Sequence, residues 1–298
     1  MKTTKTTKIT GTIRALSPIH HGGDEKTGSE VMIRRIKYLV NRVGSDEMVE
    51  VPVLSGNGIR GLIRRNIMRD MCDAIGYVPT VKMYHTMFAG GVLESVGSGK
   101  GHLDLQLRAD VRTLVPPIAL LGLGMFNQIL SGKLQVGLAT PVCQELNEYH
   151  PETHQSNLSF YELLGDAFHT RKDDLHAVRS EDETAVQMVY TFETLSPGTR
   201  LCHSFTLLDA NEVELSCLRR MVELWKQDPH VGGKSATGFG QVELIYDWSE
   251  DFPTSEPYLE FITEHKDEIL GLFATLEEAF TSVKQAKGKK KQKTVVGE

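Results

Sequence analysis

The stretch 228–244, DPHVGGKSATGFGQVEL, sets Gly232, Gly233, Gly238 and Gly240 around a Gly-Lys-Ser triplet formed by Gly233, Lys234 and Ser235. Glycines let backbone N–H groups approach an anion closely, and a lysine among them adds a mobile cation. A nucleotide-binding P-loop is excluded on two counts. That motif needs glycine where this chain has Asp228, and it runs from a strand into a helix, whereas this segment leads into the strand-like GQVEL. An anion cradle and a glycine turn that merely reverses the chain both remain, and the chemistry of the loop does not separate them.

A second candidate is VPVLSGNGIRGLIRR, residues 51–65. A strand, then Ser55, Gly56, Asn57 and Gly58, then an arginine-bearing helix make a helix N-terminus crowded only by small side chains. Unpaired N–H groups and the positive end of the helix dipole favour a phosphate there. Arg60 and Arg64 lie one turn apart and could reach successive phosphates. Taken alone, the same residues describe an ordinary amphipathic helix with a solvated arginine face. Other candidates are weaker. Cys143, His150 and His154 have metal-ligand chemistry, but Pro151 breaks the helical His-x-x-x-His spacing, so a polar loop is the better reading. His20 and His21 could act as acid and base, yet no nucleophile motif accompanies them, and turn histidines account for them more simply.

These residues sit in a chain of 298, 40% hydrophobic and 24% charged, which suits two ordinary domains or one elaborated domain with a real core. The absence of a signal-like apolar run or a membrane-length window, and four cysteines without paired spacing, lead us to expect a cytoplasmic protein with no membrane partner. The net charge of −6 hides an asymmetry. Residues 1–70 hold 13 Lys plus Arg against 7 Asp plus Glu, a local net of +6, and KQAKGKKKQK near the end carries six lysines in ten residues. The basic first quarter suggests a face for a polyanion, while the lysine tail also reads as a solvated, disordered end.

Periodicity supplies the elements. KITGTIRALSP alternates as a strand, and MIRRIKYLV and MVEVPVLS are strands flanking a turn at Gly44. Ile59, Leu62, Ile63, Ile67 and Met71 recur at helical spacing behind a cap at Ser55 or Asn57, with Arg60, Arg64, Arg65 and Arg69 on other faces. TLVPPIALLGLGM is apolar and glycine-rich, GKLQVGLATPV is strand-like, and 151–190 is polar and irregular. AVQMVYTFETL and TRLCHSFTLLD then follow as paired strands around Ser-Pro-Gly. NEVELSCLRRMVELWKQ is a helix, GQVELIYDW a strand, and a late helix follows around EPYLEFITEHKDEILGLFATLEEAFTSV. The order matches the β-α-β-β-α-β pattern of an α+β, ferredoxin-like or RRM-like palm with large insertions.

SPIHHGG, VPVLSGNGIRGLIRR, GKLQVGLATPV and GGKSATGFGQV, in this order, resemble the RAMP superfamily of CRISPR proteins, and in particular its backbone subunit, the Cas-seven type of class 1 effector complexes. The resemblance covers most of residues 8–247. It implies a modified RRM-like palm over 1–250 with a finger or insertion region at about 77–150 and a thumb hairpin at about 160–192. A helical segment at 251–287 and a basic disordered tail at 288–298 would follow. It also implies that copies of the chain polymerise along a crRNA guide, with other effector subunits and a DNA or RNA target as further partners. The residues it assigns to RNA are His21, Arg34, Arg35, Ser55, Gly56, Asn57, Arg60, Arg64, Gly233, Lys234 and Ser235. Type III backbone subunits cut target RNA with an aspartate after the H-x-G-G motif, and the matching register here falls near Ile33, Arg34 and Arg35, which cannot hold Mg²⁺. The resemblance therefore points to a non-catalytic subunit without a cofactor, most like type IV. A Mg²⁺-dependent ribonuclease using Asp24 and a small-anion-binding ferredoxin-like domain stand as alternatives.

Overall fold

A computed structural model of the chain describes residues 5–27, 30–42, 44–91, 105–125, 128–171 and 188–295. Along it, β1 (Thr6–Ala15), β2 (Gly22–Thr27), β3 (Glu30–Ile33), β4 (Arg35–Arg42) and β5 (Ser45–Pro52) precede α1 (Gly56–Ile75). The middle holds α2 (Val81–Ala89), α3 (Leu105–Leu114), α4 (Pro116–Leu121), β6 (Leu123–Met125), β7 (Gln128–Leu130), β8 (Leu134–Val136), β9 (Thr140–Pro141) and β10 (Leu164–Arg171). β11 (Met188–Leu195), β12 (Arg200–Leu208), α5 (Glu212–Gln227), β13 (Val242–Tyr246), α6 (Glu256–Glu264) and α7 (Lys266–Val295) follow.

Alternation fixes the central sheet. Ile9, Ile13 and Ala15 of β1 are buried while Lys8, Thr10 and Arg14 are exposed, and Leu201, Phe205 and Leu207 of β12 and Val242 and Leu244 of β13 bury the same face. The strands run β13-β1-β12-β8, all antiparallel, with β9 also on β12. α1 follows β1 and α5 links β12 to β13, and the two helices pack against each other. This is the split β-α-β order of an α+β, ferredoxin-like palm.

One pairing differs from expectation. β11 does not hairpin with β12 across Ser196-Pro197-Gly198. It joins β10 and β3 in a second sheet, β10-β11-β3-β2, and the neighbour that β8 supplies completes β12 instead. Alternation identifies a strand but not its partner, which depends on contacts distant in sequence. A third pair, β4 and β5, turns at Gly44, whose φ of 100° only glycine adopts easily, and it closes a small core of Val40, Val49, Val51, Cys143, Leu146 and Phe160.

Met83, Val111 and Ile118 of the 77–150 region and Tyr258, Ile262 and Phe273 of the C-terminal helices share one apolar cluster with the palm. The late helix is two, α6 and α7. The tail expected to be disordered from 288 is instead helical through Val295, in keeping with the good helix propensity of its Lys and Gln residues. Residues 172–187 of the expected thumb and residues 296–298 lie outside the described residues.

Gly11 shows how tightly the palm is built. It pairs with His203 on one side and Tyr246 on the other, and those two side chains meet across it, with Tyr246 Oη 2.7 Å from His203 Nδ1. A Cβ on Gly11 would stand 2.3 Å from the Tyr246 ring and 2.5 Å from the Ile245 carbonyl. Gly11→Ala is therefore expected to destabilise the fold by about 1–3 kcal/mol in urea denaturation. An unchanged midpoint would contradict this packing.

Candidate functional site

The strand end that delivers α1 is pinned by reciprocal Leu54 and Ala139 backbone hydrogen bonds of 2.9 and 3.0 Å. Ser55, with extended backbone, is the cap: its Oγ accepts from the Gly58 N–H at 3.0 Å. Gly56 can only be glycine, because a Cβ there would lie 2.2 Å from the Val136 carbonyl oxygen. Asn57 is exposed, and no acidic residue occupies the first turn, so the dipole end is not neutralised by its own helix.

His21 and the glycine-rich loop meet this N-terminus. His21 Nε2 accepts the Ser55 N–H at 3.1 Å and lies 3.0 Å from Ser55 Oγ. Burial, then the charges of Arg34 and His20, hold its pKa below the usual histidine value, so the ring is neutral at neutral pH and its proton sits on Nδ1. His20 donates from Nδ1 to the Glu193 carbonyl at 2.8 Å, and its own carbonyl accepts the Gly233 N–H at 2.8 Å. The loop is closed by Val231 N–H on the Gly240 carbonyl and Gly240 N–H on the Pro18 carbonyl, both 2.8 Å. Gly232 has φ 74°, and a Cβ on it would meet the His20 carbonyl at 2.3 Å. The two motifs distant in sequence are thus joined through the segment Pro18–His21.

Lys234 is exposed and one of two non-glycine residues at positive φ among the described residues, at 66°. Its Nζ stands 4.2 Å from the Phe192 ring centroid, within a cluster where Phe192 also meets His20, His169 and Phe239. The contact ties the loop to β11 while leaving the ammonium open to solvent.

Arg60 and Arg64 require a correction. They do not extend towards solvent as a phosphate-reaching pair. Arg60 donates to the Leu134 carbonyl at 2.9 Å and to the Leu121 carbonyl, and buried Arg64 donates to the Leu121 and Gly122 carbonyls at 2.6 and 2.9 Å. The C-terminal carbonyls of the short helix α4 need donors, and these guanidinium groups supply them. Burial, with the neighbouring charge of Arg60, lowers the Arg64 pKa to about 10, and burial alone lowers that of Arg60. Both stay charged at neutral pH, so they bring positive charge to the lining of the site while their guanidinium groups are held on backbone carbonyls. Arg35 is corrected likewise: it is ion-paired with Glu193, whose other oxygen accepts the Ile33 N–H at 3.1 Å. Arg34 is exposed. The cation the sequence reading passed over is Arg65, exposed and without a hydrogen-bond or ion-pair partner among the described residues; its helical spacing with Arg69 was the available signal.

His150 and His154 are engaged by the Thr140 and Thr12 hydroxyls, each at 2.9 Å, and no cluster of three metal-ligating side chains occurs among the described residues. Asp24 lies on β2, and its side chain lies outside the described residues.

A groove of about 510 Å³ opens over the helix N-terminus. Its polar lining comes from His21, Ser55, Asn57, Arg60, Arg64 and Arg65, and among the described residues no Asp or Glu lines it. Val231 and Gly232 close one side and Phe88 another. Gly56, Arg34 and Arg35 do not line it, and Gly233, Lys234 and Ser235 lie on the exposed side of the loop beyond it. A concavity with three arginines and an open helix N-terminus can hold an anion.

Searches against protein-family models and curated proteins match nothing. Among solved structures, a chain of a "Type IV-B CRISPR Complex" superposes with a TM-score of 0.59 at 22% identity, over 84% of this chain and 96% of that one. The fold is shared. At that identity the likeness is one of fold, and no helix among the described residues is long and apolar enough to cross a membrane.

Proposed function

We propose that this chain is a type IV-like CRISPR effector backbone subunit that binds the crRNA guide through the groove at the α1 N-terminus. The observation that carries the reading is the junction of the two motifs around one arginine-lined groove with no Asp or Glu among its described lining residues. The solved chain that shares the fold comes from a type IV-B CRISPR complex, which supports the same assignment. The RNA would be held by its backbone, with Asn57, Arg65 and the helix N-terminus in the groove and Lys234 releasing Phe192 to meet a neighbouring phosphate. Copies of the chain would assemble along the guide with other effector subunits, and the target would be DNA or RNA. The role is non-catalytic. The register at which type III subunits carry an aspartate holds arginines here, one of them ion-paired with Glu193.

Two tests follow. Purified in low salt, the protein is expected to carry short RNA in a large, nuclease-sensitive assembly; an RNA-free monomer that ignores added single-stranded RNA would overturn the reading. Arg65→Ala and Lys234→Ala are each expected to weaken RNA binding alike for any sequence and to flatten its salt dependence by about one unit of slope or less. A sequence-selective loss would contradict backbone binding.

A further inference from the structure

The exposed face of α2 presents Val81, Tyr84 and His85, and no acidic residue occurs anywhere in that helix. Tyr84 and Phe88, four residues apart, stack with ring centroids 4.6 Å apart and planes 18° from parallel. Phe88 is nearly buried and lines the groove beside Arg64 and Arg65, whereas Tyr84 is 46% exposed. The Tyr84 hydroxyl has no hydrogen-bond partner among the described residues, so the fold does not use its polar end. A flat aromatic surface therefore continues the groove outward from its basic floor.

We infer that the Tyr84–Phe88 pair is a stacking platform for one nucleobase of the strand whose backbone lies in the groove. Phe88 backs one face of the Tyr84 ring, fixing its plane in advance, and a base would extend the stack. The occupant is a base because a phosphate-binding concavity adjoins the rings directly, and a nucleic-acid strand carries anion and flat ring within one nucleotide. Stacking of this kind tolerates any base, since every base offers a π face. The inference rests on reading the groove as an RNA-backbone site, and it adds α2 to the elements that touch the strand.

The test compares two fluorescently labelled probes of equal length, oligoadenylate and an abasic ribose-phosphate oligomer, by anisotropy with wild-type protein, Tyr84→Ala and Tyr84→Phe. Tyr84→Ala is expected to weaken oligoadenylate binding about 5- to 100-fold, to leave the abasic oligomer unchanged, and Tyr84→Phe to bind as wild type. Tyr84 is exposed, and equal thermal unfolding of the three proteins verifies that folding is intact. Equal losses for both probes, or none for either, would overturn the platform while leaving the groove standing, as would a change confined to self-assembly. Failure of the wild type to bind either probe would overturn the platform and the proposed function together.

Discussion

Arg64→Ala should cost the fold about 3 kcal/mol, read as a lower urea midpoint, because it leaves the Gly122 carbonyl without its donor and removes one of two donors from Leu121. The group is buried, and water cannot replace it without opening the contact between α1 and α4. Arg65→Ala, one residue on, should stay within about 0.5 kcal/mol of wild type, as exposed side chains usually do. Their order should reverse in RNA binding once Arg64→Ala is measured where it remains folded. Equal stability losses would mean that the assignment of one arginine to the fold and the other to the groove is wrong.

The second large effect is on acid stability. Burial pushes the pKa of His203 down to about 4 from an ordinary value near 6.5, and Tyr246 fills its Nδ1. Because the folded value lies below the unfolded one, the stabilisation is complete above pH 6.5 and is lost as pH falls towards 4. A fall from 6.5 to about 4 corresponds to roughly 3 kcal/mol lost by pH 4. His21 and His150, also depressed by burial, act in the same direction. Replacing both partners by apolar groups, His203→Leu with Tyr246→Phe, avoids stranding either polar atom. The double variant should lose about 3 kcal/mol less between pH 7.5 and pH 4 than wild type. An identical pH profile would show that His203 is not the neutral, buried group described.

Much of the palm could be read from local pattern. β1, α1, α5 and β13 declare themselves by alternation or helical period, and Ser55 caps α1 as its position suggested. What local pattern cannot carry is partnership. β11 has the composition of a strand, but only the folded chain shows that it pairs with β10 and β3 rather than β12. The short elements α4 and β6 share one apolar, glycine-rich run whose length favours neither state, and β10 lay within a polar stretch without clear period.

The site divides in the same way. The helix N-terminus and the glycine loop were legible as separate anion candidates, since each depends on small residues in sequence. Their junction through His20 and His21 was not, because it combines a backbone bond from Gly233 to the His20 carbonyl, between segments about two hundred residues apart, with the His21 ring accepting the Ser55 N–H. The fate of Arg60 and Arg64 was invisible for a related reason. An arginine on a helix looks the same whether it faces solvent or the orphan carbonyls of another helix, and α4 was not recognised as the helix that needed them. Gly232 and Gly240 are explained by the turn itself, while the exposure of Lys234 leaves its charge available for a ligand.

The central claim is that the strand lies in the groove between the α1 N-terminus and the glycine loop. The most direct measurement is photocrosslinking of single-stranded RNA substituted with 4-thiouridine to the full chain, with crosslinked peptides mapped by mass spectrometry. The account predicts crosslinks in residues 55–65 and 231–240, lost at high salt. Crosslinks confined to the lysine-rich end of α7, with the groove peptides unlabelled, would contradict it.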